Sequence, residues 1–352
     1  MRHKKRTELE YVICNLCGNR NGNVIGEFRS RDLVDINRSL TKLGKRPILN
    51  SNHTFQVFRC RSCGLAFINP RMSRTALKRF YEGFYEGLFV GKSVSYEQSV
   101  YAVLNHEQEK GRLKDVSRFT RAGKLLDIGA GPGHFLSVAK KHGWQIYGHE
   151  YSKKAAAIAQ QLLGQMLFTE KISQIPLPDN FLDVITMHSV LEHTSDPQEY
   201  VTTALKKLKP GGLLVVSVPN LRSLNYFLAK LFSLPHPGFL FEHLYYFSPK
   251  VISSLLKDFK ILEMTSYNHS RPMLPQQSQH RISVNRNQSR FATFLLELSR
   301  KERKWLYIRN RVYAAQMRLF REFLEYHKIG GRLKLGDVLY VFAQKPAEES
   351  QN

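Results

Sequence analysis

Apolar and polar positions follow one another along the middle of this chain in a pattern typical of an α/β sheet. Short apolar runs at 124–129, 144–150, 165–170, 182–189 and 212–220 predict five strands. Between them, apolar residues recur at helical spacing from near His134, over 152–163 and over 197–208. Strands that alternate with helices form a mostly parallel sheet covered on both faces. Such a sheet binds ligands at the carboxyl ends of its strands.

A glycine-rich loop joins the first of these strands to its helix. The loop carries Asp127 followed by Gly129, Gly131 and Gly133 at every second position. Its glycines allow a ligand to approach the backbone closely, and the GxGxG spacing differs from the GxGxxG of pyrophosphate-binding loops. Glu150 ends the second strand, where its carboxylate can accept hydrogen bonds from both hydroxyls of a ribose.

All four cysteines lie in two matched pairs near the N-terminus, Cys14 with Cys17 and Cys60 with Cys63, and each pair is followed by a glycine. The CxxC spacing lets one tight turn aim two thiolates at one metal ion. The sequence therefore predicts an N-terminal zinc-knuckle module with a structural Zn²⁺, and no cysteine remains for nucleophilic catalysis. Disulfides or four unrelated thiols are the alternatives.

Composition adds a strong positive charge to this picture. The 352 residues have a formal net charge of +24, of which the central residues 121–267 carry only +4. Residues 1–120 and 268–334 carry +11 each. An anionic partner is one explanation, whether nucleic acid, a nucleotide-sugar phosphate or acidic lipid, and a basic bias of the whole proteome is the other. Neither a signal peptide nor a run of about 18 apolar residues is evident, which favours a cytoplasmic protein, peripheral at a membrane if its basic face binds lipid.

The motifs taken in order resemble those of class I S-adenosylmethionine-dependent methyltransferases. They begin with the glycine loop and Glu150 and continue with the segments 177–185, 191–193, 208–212 and 218–220; the segment 337–345 is similar to the family's last, antiparallel strand. The cysteine pairs resemble a zinc-binding region attached to a subgroup that includes sugar C-methyltransferases. The resemblance implies a Rossmann-like methyltransferase sheet with S-adenosylmethionine as its cofactor.

The resemblance also implies a role for each matching residue. The three glycines of the loop surround the amino-acid end of the cofactor, Asp127 orients its amino group and Glu150 binds the ribose. Relatives often place an aspartate beside the adenine, but this chain has Lys171, so Glu170 or the backbone at Lys171 takes that place. His188, at the end of the fourth strand, completes the expected cofactor-binding set.

Two further groups are candidates for chemistry. His243 follows the fifth strand and is the expected general base, with Glu242 steering it or acting on a sugar hydroxyl. In sugar C-methyltransferases, which this segment resembles, a Glu-His pair is associated with proton abstraction beside a carbonyl. Leu240 stands where that subgroup has a tyrosine. Some quinone O-methyltransferases bind a divalent metal through Glu-x-x-Glu-His; here Ser189 replaces the first glutamate before Glu192 and His193, so no catalytic metal is predicted.

The resulting domain prediction has four parts. They are a zinc-binding module with a connecting helix (1–104), a methyltransferase core (105–267), a basic helical insertion (268–334) and the last core strand with a tail (335–352). In the insertion, basic residues flank an apolar stripe of helical spacing, which fits an RNA, an anionic membrane surface, a second subunit or the protein's own core.

The function expected from the sequence is methylation of a small-molecule acceptor, a sugar or sugar-containing molecule that is nucleotide- or lipid-linked. The first alternative is an RNA methyltransferase, and the second is a non-catalytic, zinc-dependent binding module on a methyltransferase fold. The sequence leaves the oligomeric state and the methylated atom open.

Overall fold

A computed structural model describes residues 8–29, 41, 53–89, 100–231, 239–267 and 333–347. The basic insertion lies almost entirely outside these ranges, so the predicted helices at 291–326 are not part of what the structure describes. None of the helices in the described ranges is long and apolar enough to cross a membrane.

A six-stranded sheet forms the centre of the protein. Its strands are β6 (Lys124–Ile128), β7 (Gln145–His149), β8 (Leu182–His188), β9 (Leu208–Pro219), β11 (Lys260–Tyr267) and β12 (Val338–Gln344), in the spatial order β11-β12-β9-β8-β6-β7. The four strands from β9 to β7 are parallel, and β12 runs antiparallel between β9 and β11. The predicted mostly parallel sheet with an antiparallel last strand is confirmed.

Helices cover both faces of this sheet because its strands are apolar on both sides. The helices are α1 (Arg74–Phe89), α2 (Val100–Val116), α3 (His134–Lys141), α4 (Lys153–Leu163), α5 (Pro197–Lys207), α6 (Leu224–Leu231) and α7 (Pro249–Leu255). Side-chain oxygens of Ser152, Asp196 and Ser248 cap α4, α5 and α7 by accepting backbone N–H groups. Each of these helices therefore begins at a residue that the sequence marks.

The predicted strand at 165–170 is reduced to a single parallel bridge between His149 and Phe168. Phe168 donates its N–H to Gly148 O at 2.8 Å and accepts from Glu150 N at 2.9 Å. The segment thus forms one ladder step and then turns into a short 3₁₀ helix, Ile172–Gln174. The apolar run indicated the position correctly, but too few of its residues pair for a strand.

The N-terminal region builds a second, antiparallel sheet with the order β10-β4-β3-β2. It contains β2 (Gly22–Arg29), β3 (Thr54–Cys60) and β4 (Ala66–Ile68), while β1 (Leu9–Glu10) pairs separately with β5 (Arg71–Met72). Its last strand, β10 (Tyr245–Tyr246), comes from far along the chain. Residues 239–248, called here the bridging segment, therefore join the N-terminal sheet to the central one.

The bridging segment is fixed at both ends. Ile68 N donates to Leu244 O at 3.0 Å on the side of the N-terminal sheet. On the other side, Leu221 N donates to Phe247 O at 2.7 Å, and Phe247 forms a parallel bridge with Asn220 just beyond β9. Most of its side chains are buried in one apolar core that runs through both sheets. The segment thus crosses the carboxyl ends of the central strands.

Candidate functional site

A cavity of about 300 Å³ opens where β6 and β8 end and α3 begins. Its size lies within the range of small-molecule sites. Four of the predicted cofactor residues line it: Asp127, Gly129, Gly131 and His188. The remaining lining residues were not predicted: Gln108, Glu109, Arg112, Ala130, Pro132, His134 and Phe135.

The glycine loop turns tightly at the floor of this cavity. Gly129 N and Ala130 N both donate to His149 O, at 2.8 and 3.0 Å, which ties the loop to the end of β7. A Cβ atom on Gly129 would lie 2.6 Å from Val190 Cγ2, so the loop leaves no room for a side chain there. Its backbone is thus held close to the space that a ligand would occupy.

Gly133, the third glycine of the loop, is expected from the sequence to surround the cofactor, but it lies at the start of α3. It does not line the cavity; it precedes α3 with a φ of 86°. A Cβ atom there would lie 3.0 Å from Leu163 Cδ1 and 3.1 Å from Ala159 Cβ. Gly133 therefore allows the loop and α3 to pack closely against α4.

Asp127 is buried at the end of β6, where its Oδ1 accepts a 2.7 Å hydrogen bond from Thr186 Oγ1. Burial raises the pKa of its carboxyl group to about 7, although the hydrogen bond from Thr186 opposes this shift. A carboxyl group with this pKa exists in both forms near neutral pH. It can accept a ligand ammonium group only after it has lost its proton.

Glu150 lies behind the glycine loop that lines the cavity and holds this loop in place. Its buried carboxylate accepts from Gly131 N at 2.9 Å and from Ser152 N at 2.7 Å, and burial raises its pKa. The residue therefore fixes the glycine loop relative to α4. Each oxygen keeps a second acceptor site, which a ribose hydroxyl could use.

Glu109 and Arg112 form an ion pair in the cavity wall, where Arg112 Nη1 donates to both carboxylate oxygens at 2.9 and 3.0 Å. Burial raises the pKa of Glu109, against the opposing effect of Arg112. Spaced three residues apart on α2, the pair looks in sequence like an ordinary surface salt bridge. Only the packing of α2 against α3 shows that the pair faces the cavity.

His188 lines the cavity with both ring nitrogens buried, and neither has a hydrogen-bond partner among the described residues. Burial lowers its pKa well below the ordinary value, so the imidazole is neutral. The ring lies 5.4 Å from that of Phe135 and 5.8 Å from that of Tyr340. Its polar atoms are available to a ligand.

A second group of side chains lies beyond the end of β8. One ligand atom each of Glu192, His193 and His243, called here the Glu-His-His cluster, lies within 4.8 Å of the others. The rings of His193 and His243 are 4.7 Å apart and nearly perpendicular. The Tyr81 hydroxyl, on α1, lies 2.8 Å from His193 Nδ1. In the sequence, Tyr81 belongs to an aromatic helical stretch expected to pack on the next domain or to line a substrate cleft, but it is not among the predicted site residues.

The cluster follows a strained backbone position. Ser189, between His188 and the 3₁₀ turn Leu191–His193, has a φ of 53°, which side-chain-bearing residues rarely adopt. Burial raises the pKa of Glu192 to about 8 and lowers that of His193 to about 4. Both side chains are therefore largely uncharged at neutral pH.

A family model described as a methyltransferase domain matches this part of the chain, from residue 104 to residue 260. Residues 104–260, the range that this model matches, are called here the methyltransferase domain. The matched range contains the glycine loop, Glu150, the buried ion pair of α2 and all three residues of the Glu-His-His cluster. The cavity and the cluster therefore both belong to the methyltransferase domain.

Two curated relatives are similar to part of this chain. A probable S-adenosylmethionine-dependent methyltransferase of Mycolicibacterium smegmatis is 27% identical over 97 residues, covering 27% of this chain and 38% of that protein. A ubiquinone biosynthesis O-methyltransferase of Thiobacillus denitrificans is 33% identical over 133 residues, covering 35% of this chain and 57% of that protein. The chain thus matches between about a third and just over half of each relative's length. A solved SAM-dependent methyltransferase from Archaeoglobus fulgidus, 19% identical, has a TM-score of 0.42 and covers 75% of this chain and 100% of its own.

Glu170 and Lys171, like Gly133 and Glu150, are predicted cofactor residues that do not line the cavity of the methyltransferase domain. Glu170 accepts a hydrogen bond from the neighbouring Thr169 N at 2.9 Å, and Lys171 is exposed. The backbone at this place is nevertheless held, because His149 Nε2 lies 2.9 Å from Glu170 O. The adjoining Ile172 is buried at the start of its 3₁₀ turn.

Glu242 contributes to the cluster through its backbone. Its carbonyl oxygen lies 3.0 Å from His193 Nδ1, and Leu244 N donates to Glu192 O at 2.6 Å. The bridging segment therefore carries His243 to the methyltransferase domain's 3₁₀ turn, 50 residues earlier in the chain. The predicted pair of His243 and Glu242 thus belongs to a larger group.

Outside the methyltransferase domain, the four cysteines come together as predicted. All four Sγ atoms lie within 4.8 Å of one another, Cys14 and Cys63 at 3.4 Å and Cys17 and Cys60 at 3.6 Å, and none forms a disulfide. Tetrahedral zinc, with Zn–S bonds of about 2.3 Å, would place its sulfurs about 3.8 Å apart. The donor set fits such an ion.

The loops around these sulfurs turn through left-handed glycines, Gly18 with a φ of 70° and Gly64 with a φ of 79°. Each glycine N–H donates to the carbonyl oxygen of the first cysteine in its pair. At the second pair, burial raises the pKa of Cys60, but hydrogen bonds from the backbone of Cys63 and Ser62 and from neighbouring thiols lower it overall, to about 7. Cys60 is therefore prepared for the thiolate form that a metal requires.

Proposed function

We propose that this protein is an S-adenosylmethionine-dependent methyltransferase acting on a hydroxyl-bearing small molecule. The observation that carries the proposal is the cavity at the carboxyl ends of β6 and β8, which lies inside the methyltransferase domain and is lined by Asp127, the glycine loop and the buried ion pair of α2. Bound there, S-adenosylmethionine supplies an electrophilic methyl group on a positively charged sulfur.

Charged residues of the cavity wall can bind the amino-acid end of that molecule, and Glu150 can bind its ribose. Its amino-acid end carries one ammonium and one carboxylate group, and Asp127 with Glu109 can receive the first while Arg112 receives the second. Glu150 accepts ribose hydroxyls next to the glycine loop. In the complex, hydrogen bonds between Glu109 and Arg112 are thus partly replaced by hydrogen bonds from each residue to the cofactor.

The acceptor, in this proposal, lies under the bridging segment beside His188 and the Glu-His-His cluster. Neutral histidines and a protonated glutamate suit an uncharged hydroxyl better than an anionic one. The resemblance to sugar C-methyltransferases and the similarity to an O-methyltransferase of ubiquinone biosynthesis both favour small acceptors over RNA. A sugar or sugar-containing molecule therefore stays the proposed acceptor class.

Transfer forms a bond from the acceptor to the methyl carbon as the carbon–sulfur bond breaks, so the sulfur becomes a neutral thioether and the acceptor loses a proton. The chain's residues mainly hold the two partners in line, which is where most of the rate acceleration of such a reaction arises. His243 with Glu242 is the proton-accepting pair that the sequence predicts, and this stays a prediction. The four cysteines hold, in this proposal, one structural zinc ion.

An acceptor screen with S-adenosylmethionine labelled in its methyl group tests the function. We expect label to enter a sugar-containing small molecule with the wild-type protein and to be lost with Asp127→Asn, while Asp179→Asn, at an exposed site, keeps full transfer. Label entering RNA instead would favour the RNA methyltransferase. Transfer to no class of acceptor by a protein that binds the cofactor would contradict the enzymatic proposal.

A further inference from the structure

The Glu-His-His cluster has the composition of a metal site. It offers two imidazoles and one carboxylate, with one ligand atom of each within 4.8 Å of the others. This set is the one that catalytic zinc sites and mononuclear iron sites use, because three protein ligands leave coordination positions open for water or substrate. The cluster is separate from the four cysteines of the N-terminal region.

Glu192 gives the first independent reason to expect a cation. Its side chain is only 1% exposed, and its Oε2 has no hydrogen-bond partner among the residues that the structure describes. Buried carboxyl oxygens are nearly always satisfied, because leaving one without a partner is unfavourable. A metal ion at the cluster would satisfy this oxygen.

The orientation of His193 gives the second reason. His193 Nδ1 lies 3.0 Å from Glu242 O and 2.8 Å from the Tyr81 hydroxyl. Because a carbonyl oxygen can only accept, the contact with Glu242 favours a proton on Nδ1, and the tyrosine oxygen can accept from the same N–H. Nε2 then carries the lone pair that a metal binds. Histidine ligands of metals usually hold their other nitrogen in this way, by donating it to a carbonyl or carboxylate.

We propose that Glu192, His193 and His243 bind one divalent transition-metal ion, of the class of Zn²⁺ or Fe²⁺. Imidazole favours these ions over Mg²⁺, which prefers oxygen ligands. The sequence predicts no metal here because Ser189 replaces the first glutamate of the quinone-methyltransferase motif. The structure brings His243 from the bridging segment to complete a different set of three ligands.

The proposal goes beyond methyl transfer and changes the roles of Glu192 and His243, because the ion takes the place of the proton on the Glu192 carboxyl group. Bound to the ion, an acceptor hydroxyl would lose its proton more readily, because a divalent cation lowers the pKa of an oxygen ligand. The proton then leaves to solvent and His243 is a metal ligand. Without an ion, His243 keeps the general-base role that the sequence predicts.

Titration with Co²⁺ tests the proposal on full-length protein whose cysteines are already loaded with zinc. We expect one equivalent of Co²⁺ to bind with weak visible absorption and without the strong near-ultraviolet bands of thiolate ligands. Glu192→Gln and His243→Ala should each weaken binding at least about tenfold, the lower limit seen even for outer-shell partners. His142→Ala, at a histidine at the end of α3, should not change it.

Cofactor affinity measured on the same variants shows that they are folded, since none of these residues lines the cavity. Absorption from thiolate-bound cobalt alone, or equal Co²⁺ affinity in wild type and both cluster variants, would overturn the metal site. Because the titration involves no methyl transfer, its failure would leave the proposed function standing.

Discussion

Among single residues, Asp127 connects cofactor binding most directly to a measurable pH. Its pKa of about 7 means that the carboxylate, which binds the cofactor's ammonium group, is lost as the pH falls through 7. We therefore predict that the affinity for S-adenosylmethionine decreases from pH 8 to pH 6 in calorimetric titrations. Asp127→Asn should lower the affinity at pH 8 and remove most of this pH dependence, while Asp179→Asn should behave like wild type.

Asp127→Asn should stabilise the folded protein at the same time as it weakens cofactor binding. The pKa of Asp127 is raised on folding, so the folded state keeps a proton that the unfolded chain releases near pH 4, and the free energy of unfolding falls between about pH 4 and pH 7. Asparagine still accepts from Thr186 and carries no charge. The free energy of unfolding of Asp127→Asn should thus exceed that of wild type by about 2–4 kcal/mol at pH 8 and equal it at pH 4. Equal stability at pH 8 in urea denaturation would contradict the raised pKa.

Arg112 allows the amino-acid end of the cofactor to be tested separately from its nucleoside. We predict that Arg112→Gln weakens binding of S-adenosylmethionine by about 1.5–3 kcal/mol, the value of a charged hydrogen bond. Binding of 5′-methylthioadenosine, which lacks the amino-acid end, should be unchanged. Arg118→Gln, at a partly exposed position two residues beyond the end of α2, is the control. Equal losses for both ligands would show that Arg112 acts on the fold instead of on the carboxylate.

At the scale of elements, Gly133 and Gly143 form a matched pair for measuring how tightly α3 packs on α4. Their φ angles are 86° and 85°, but a Cβ atom on Gly143 would meet nothing within 4 Å. Gly143→Ala should lower the free energy of unfolding by about 1–2 kcal/mol, from backbone strain alone. Gly133→Ala should lower it by a further 1–3 kcal/mol or so, because it also displaces Leu163. Similar values for both in urea denaturation would contradict close packing at Gly133.

The sequence predicts those strands and helices correctly whose own residues carry the signal. The runs that became β6, β8 and β9 are apolar on consecutive positions, and Ser152 and Asp196 mark helix starts. The strand at 165–170 failed because pairing at the edge of a sheet depends on the neighbour and not on the run itself. The two residues of β10 carry no pattern at all, since they pair with β4, about 180 positions away.

The site residues fall into the same two groups, those marked by a local motif and those brought together only by the fold. The glycine loop and the cysteine pairs are contiguous motifs, so their residues could be named in advance. Glu109 and Arg112 repeat at ordinary helical spacing, and only the path of α2 shows that they reach the cavity. His193 and His243 are 50 positions apart and meet because the bridging segment returns over the end of β8.

For the molecule as a whole, the two sheets make the cysteine site and the bridging segment neighbours. β3 ends at Cys60, β4 follows the second cysteine pair, and β4 pairs with β10, which begins two residues after His243. Arg71 extends the connection by donating to Tyr245 Oη at 2.7 Å. A metal-stabilised N-terminal region would therefore hold His243 in place from outside the methyltransferase domain.

Removal of zinc should accordingly loosen the bridging segment before the cofactor cavity. We predict that the purified protein carries zinc and that chelation increases hydrogen exchange at residues 239–248, while β6 stays protected and cofactor affinity changes less than about threefold. Cys17→Ser should have the same effect as the chelator. Unchanged exchange at 239–248 after zinc loss would contradict the coupling, and protein without zinc would contradict the zinc site.

The overall charge adds a constraint on partners. The methyltransferase core is nearly neutral, and most of the +24 resides in the two flanking regions. An anionic partner would therefore dock beside the cavity instead of inside it. In the proposal, the charged groups of the cavity, Asp127 and the ion pair of α2, bind the cofactor. The charge distribution thus fits an acceptor that carries its phosphate or lipid away from the reacting hydroxyl.

The most direct test of the account is a calorimetric titration of the full-length protein with S-adenosylmethionine at pH 8. The cavity predicts one equivalent bound per chain, with a dissociation constant in the usual range for enzyme substrates of about 1 µM to 1 mM. Affinity should fall at least about tenfold in Asp127→Asn and stay unchanged in Asp179→Asn. Absence of binding at a cofactor concentration of about 10 mM, well above that range, would contradict the central claim that this cavity holds a methyl donor.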